Sequence, residues 1–170
     1  MELPKRKQNR LTDYDYSQPN AYFITICTKD KRYIFWEPVG ASIARPDTVY
    51  LSPKGKIVEK AIQNIPNYYP MISVDNFVIM PNHIHLLLQI HTDDYGRAML
   101  APTISTVVQQ MKGYVSKKLG ESVWQKLFHD HVIRGQQDYL KIWNYIEGNP
   151  SKWEEDCFYV KEDEDVSFHR

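Results

Sequence analysis

Two cysteines, Cys27 and Cys157, are all that the 170 residues carry. That is too few for a disulfide scaffold, and they show no paired metal spacing, so a reduced, cytoplasmic setting is the expectation. No apolar run approaches the roughly 20 residues of a membrane helix. The longest stretches, such as Leu86 to Leu88, are strand-sized. The first residues, MELPKRKQNR, are basic and polar with no apolar stretch behind them, so neither a secretory leader nor a membrane partner is expected. Internal repeats and low-complexity linkers are also missing. What remains is 42% hydrophobic and 25% charged, the composition of one soluble domain able to bury its own core.

The formal net charge is zero, but it is unevenly spread. From Glu154 onward there are seven acids against two bases. The preceding 153 residues hold 19 bases and 14 acids. A mildly basic body with an acidic tail is compatible with a polyanionic partner and equally with an ordinary solvated tail. Three parts are expected: a basic arm over 1–20, a domain over 21–153 and an acidic tail over 154–170.

Within the domain, β-branched and aromatic residues mark a first strand at 21–28. Ser52-Pro53 reads as an N-cap with proline opening a helix, which Pro66 and Pro70 close. Two apolar strands, 72–80 and 83–90, flank Pro81-Asn82 and imply an antiparallel hairpin. A second helix spans 103–119, a fourth strand lies within 127–133, and a last helix spans 136–148. The order predicts an α+β ferredoxin-like sandwich (β-α-β-β-α-β) with an antiparallel sheet and an appended C-terminal helix.

The strongest chemical signal is His83-Ile84-His85. Strand side chains alternate, so both imidazoles share one face while Ile84, Leu86 and Leu88 anchor the other. Two adjacent imidazoles can share a divalent metal, and equally they can be hydrogen-bonded surface residues. No carboxylate lies near the pair in sequence, so any further ligand must come from elsewhere. On the last helix Tyr145 and Asn149 lie four apart and face one point. A phenol with a pKa of about 10 is a weak nucleophile, for which a cation polarising a phosphate would compensate. Tyr114, among Lys112, Lys117 and Lys118, is the rival tyrosine. His129 and His131 share a strand face as structural or DNA-contacting residues, or as a second metal pair.

Read in order, YDYSQPNAYFIT, MPNHIHLLLQI, VWQKLFHDHVIR and YIEGNPSKW resemble the REP-associated tyrosine transposases, in the single-tyrosine branch of the HUH nucleases. The likeness spans about Arg10 to Trp153. It implies a ferredoxin-like fold, Tyr145 as nucleophile, and His83, His85 and Asn149 as ligands of Mg²⁺ or Mn²⁺. It further implies cleavage and rejoining of single-stranded or hairpin DNA through a 5′-phosphotyrosine, by a monomer or homodimer. Lys5, Arg6, Lys7, Arg10, Lys112, Lys117 and Lys118 are then the expected backbone contacts. Two rival readings stand beside it. One is a catalytically inactive nucleic-acid-binding module on the same fold. The other is a metal-dependent phosphoester hydrolase, which needs a carboxylate near the metal.

Overall fold

The computed structural model describes residues 14–37, 49–92 and 103–159. Lys5, Arg6, Lys7 and Arg10 lie outside these residues. The elements are β1 (Ala21–Cys27), α1 (Pro53–Gln63), α2 (Ile65–Tyr68), β2 (Ile72–Ile79), β3 (His83–Ile90), α3 (Ile104–Leu119), β4 (His129–Val132) and α4 (Gln136–Gly148). A 3₁₀ segment, Pro150–Glu155, follows α4. The four strands form one antiparallel sheet in the order β2-β3-β1-β4, the ferredoxin-like arrangement with α4 added. Among the described residues no helix is long and apolar enough to cross a membrane.

Local chemistry explains the boundaries. Ser52 caps α1 by accepting the Gly55 N–H at 3.1 Å, and Pro53 opens the helix where no N–H is needed. Pro66 does not end the helical region as expected. The chain breaks at Asn64, and Pro66 sits in the first turn of the short α2, where a missing N–H is again harmless. Thr103 caps α3, and Gly120, at φ 69°, closes it in the left-handed conformation that favours glycine. The fourth strand is shorter than its apolar run, because only His129–Val132 pairs with β1.

The sheet separates two apolar layers. Ile84, Leu86 and Leu88 of β3 face Val58 and Ile62 of α1 and Val107, Met111 and Val115 of α3 in the main core. Leu87 points the other way, into a smaller cluster with Ala21, Ile133, Ile142 and Ile146, which seats α4. Strand β3 is thus covered on both faces, which accounts for its unbroken Leu86-Leu87-Leu88 run. Each such side chain contributes about 2 kcal/mol by leaving water. The histidines share the α4 side of the sheet with Leu87.

Candidate active site

His83 and His85 are fully buried, and their Nε2 atoms lie 3.1 Å apart. Each ring is held from behind. Asn82 donates from Nδ2 to the carbonyls of Phe158 at 2.9 Å and Lys31 at 3.4 Å. These bonds leave its Oδ1 as the partner of His83 Nδ1 at 2.8 Å. An amide oxygen only accepts, so His83 carries its proton on Nδ1 and turns the Nε2 lone pair toward His85. His85 Nδ1 lies 2.8 Å from Thr25 Oγ1, its neighbour across β1 and β3. A hydroxyl can donate or accept, so His85 is free to hold its proton on either nitrogen. It can donate from Nε2 to His83, or present a lone pair there. Burial pushes both imidazoles down to about 3. Neutral rings are the form that binds a metal.

Aromatic side chains enclose the pair. Phe23 stacks on His85 at 5.1 Å between centroids, and Phe158 covers His83 at 4.6 Å. Trp153 stands 5.9 Å from His83.

Helix α4 brings Tyr145 to this point. Its phenol oxygen is 3.4 Å from His85 Nε2, and its ring meets Phe23 edge-on at 6.0 Å. The tyrosine is 44% exposed, so a substrate can reach it. Burial first, and the Asp156 charge second, push its hydroxyl up to about 12, while a hydrogen bond from Asn149 acts the other way. Asn149 is buried, and its Oδ1 has no hydrogen-bond partner. A buried amide oxygen without a partner, on a side chain that also meets Tyr145, suits a cation that would complete it.

One site residue was not legible in the sequence. Asp156, read there as part of the acidic tail, is folded inward until its side chain is 3% exposed. Its Oδ2 lies 3.9 Å from His83 Nε2 and 3.4 Å from the Tyr145 phenol. Among the described residues, His83, His85 and Asp156 form the group of three side chains able to hold a metal ion, with ligand atoms within 4.8 Å of one another. The turn through Pro150–Glu155 carries Asp156 back over the sheet. A cleft of about 410 Å³ opens beside Tyr145, lined also by Asn149, Lys152 and Asp156.

The other residues singled out lie elsewhere. Tyr114, Lys112, Lys117 and Lys118 are on α3, across the sheet from the histidines. The Lys112 ammonium donates to the carbonyls of Gln125 at 2.7 Å and Lys126 at 3.2 Å, tying α3 to the chain before β4. His129 and His131 are exposed on β4, and His131 Nε2 lies 2.8 Å from Asp138 Oδ2.

Fold and site together define an α+β protein with a paired-histidine strand, an adjacent carboxylate and a tyrosine on the following helix. No protein-family model matches the chain. An uncharacterised protein of Haemophilus influenzae is 33% identical over 174 aligned residues, covering 91% of this chain and 93% of that protein. A second Haemophilus influenzae protein, named as a REP-associated tyrosine transposase, is 26% identical over 146 residues, 81% of this chain and 74% of its own. The solved structure of a REP-associated tyrosine transposase bound to a REP hairpin shares the fold, with a TM-score of 0.57 at 20% identity over 84% of this chain and 74% of that one. The chain thus shares the fold of a REP-associated tyrosine transposase and is similar in sequence to a protein named as one.

Proposed function

We propose that the protein cuts and rejoins single-stranded DNA, of the hairpin kind bound by its structural relative, by transesterification through Tyr145. The observation that carries this reading is the phenol oxygen 3.4 Å from His85 Nε2, beside the paired imidazoles. His83, His85, Asp156 and Asn149 offer nitrogen and oxygen donors that suit Mn²⁺ or Mg²⁺. Such a cation, when bound, would polarise a phosphate and neutralise its charge.

The chain's own residues do the rest. Asn82 and Thr25 fix the two rings, and α4 presents the phenol. The Tyr145 oxygen attacks phosphorus; its bond to phosphorus forms as the bond to the 3′ oxygen breaks. The phenolic proton has Asp156 Oδ2 as an acceptor 3.4 Å away, and the departing 3′ oxygen takes up a proton to become a hydroxyl. The phosphotyrosine keeps the energy of the phosphodiester, so a 3′-hydroxyl can reverse the step without ATP. Lys152, in the cleft, is placed to meet the substrate backbone.

The test is a labelled hairpin oligonucleotide with Mn²⁺. Wild type should form a denaturant-stable protein–DNA adduct, and Tyr145→Phe should form none. An adduct that persists in Tyr145→Phe and disappears in Tyr114→Phe would overturn the assignment. A second reading has one observation in its favour: Asp156 supplies the carboxylate that a phosphoester hydrolase needs beside its metal. Cleaved product without any adduct, unchanged in Tyr145→Phe, would select that reading.

A further inference from the structure

Apart from Val78, which touches both apolar clusters, the apolar residues of β2 packed against the main core are Ile72, Val74, Phe77 and Ile79, spaced two, three and two apart. The extra step is a bulge. Pairing passes from Val74 opposite Leu88 to Asn76 opposite Leu87, and Asp75 has no partner of its own. The bulge keeps both apolar pairs on one face and directs Asp75 toward the α4 side. There Ser73 donates to Asp75 Oδ1 at 2.6 Å, and the Tyr139 hydroxyl of α4 donates to Asp75 Oδ2 at 2.8 Å.

The seat of α4 is otherwise small. Among the described residues, five buried side chains make up its apolar cluster, against twenty-five in the main core. Apolar contact holds a helix down, but it is non-directional and fixes rotation about the axis poorly. A hydrogen bond to a carboxylate is directional and stronger than a neutral one. Tyr139 lies in the first half of α4, and Tyr145 follows six residues later, about 9 Å along the axis. Because the helix is rigid, the rotation set at Tyr139 is the rotation at Tyr145. A displacement of about 1 Å at a reacting atom can lower a rate on the order of 100-fold.

We propose that Asp75 is a positioning residue: through Tyr139 it sets the rotation of α4 and thereby the aim of the Tyr145 hydroxyl at the histidine pair. The inference rests on Tyr145 being the nucleophile, so its test has a readout that does not need catalysis. In Asp75→Ala and Tyr139→Phe, single-turnover adduct formation should fall about 10- to 100-fold, with Mn²⁺ and hairpin affinities unchanged. Asp75→Asn keeps an acceptor oxygen and should restore most of the rate. Ring-to-ring proton Overhauser effects between Tyr145 and Phe23, in edge contact here, should weaken in Asp75→Ala and Tyr139→Phe and persist in Asp75→Asn. Unchanged rates overturn the proposal, as does a slowed reaction that keeps the Overhauser effects or loses Mn²⁺ affinity in step. If wild type forms no adduct, the transesterification reading falls. The Overhauser effects still decide for Asp75, since their persistence in both Asp75→Ala and Tyr139→Phe removes its role.

Discussion

Acidification should unfold the metal-free protein through its histidine pair. In the unfolded chain each imidazole titrates near 6.5, and in the fold burial lowers both to about 3. The native state therefore binds fewer protons than the unfolded state as the pH falls. Stability present above about pH 6.5 is lost progressively toward pH 3. By linkage the loss at pH 5 is about 2 kcal/mol for each ring, or about 4 for the pair. That is a large share of the roughly 5–15 kcal/mol that holds a domain together. The assay is urea unfolding near pH 7.5 and pH 5 with a chelator present, on wild type and on a His83→Leu/His85→Leu double variant. The remaining histidines are common to both proteins and cancel. The double variant should lose about 4 kcal/mol less than wild type between the two conditions. Equal losses would show that protonation of this pair does not govern acid stability, and the argument from burial would fail.

Three further outcomes follow from the same geometry. Mn²⁺ at about 100 times its dissociation constant should raise wild-type stability by about 2.7 kcal/mol; thermal unfolding of His83→Ala and Asp156→Ala should show a much smaller rise, and an equal rise would remove them as ligands. Thr25→Val leaves His85 Nδ1 without its oxygen partner and should weaken Mn²⁺ binding about 10- to 100-fold by calorimetry; an unchanged affinity refutes that support. Hairpin DNA binding should weaken steeply with salt if Lys5, Arg6, Lys7, Arg10, Lys117 and Lys118 hold phosphates. The slope for Lys112→Met should match wild type, because that ammonium is already bound to two carbonyls; a shallower slope would return Lys112 to the DNA contacts.

The sheet and its helices were legible because their signals are local. Alternation across His83-Ile84-His85 put the two rings on one face, and Ser52-Pro53 and Gly120 marked helix ends through the hydrogen bonds they make or cannot make. Tyr145 and Asn149 were legible as a pair because four residues make one turn of helix. What sequence could not reveal depends on tertiary return. Asp156 stands 73 residues beyond His83 in a run of acids, and nothing in that run distinguishes the carboxylate that is buried from those that are solvated. The fate of Lys112 is similar: only the packing of α3 beside Gln125 and Lys126 offers it carbonyls. The bulge at Asp75 lay in the spacing of β2, but one extra residue in an apolar strand is easily read as imperfect alternation.

The Asn82 side chain grips His83 with its oxygen and the Phe158 carbonyl with its nitrogen. The order of biosynthesis gives this a temporal meaning. Strands β1 and β3 emerge from the ribosome long before Asp156 and Phe158 do, so a growing chain carries the paired imidazoles and Phe23 without the carboxylate and without the Phe158 cover of His83. Assembly of the centre therefore waits until the segment that follows α4 has docked against β3.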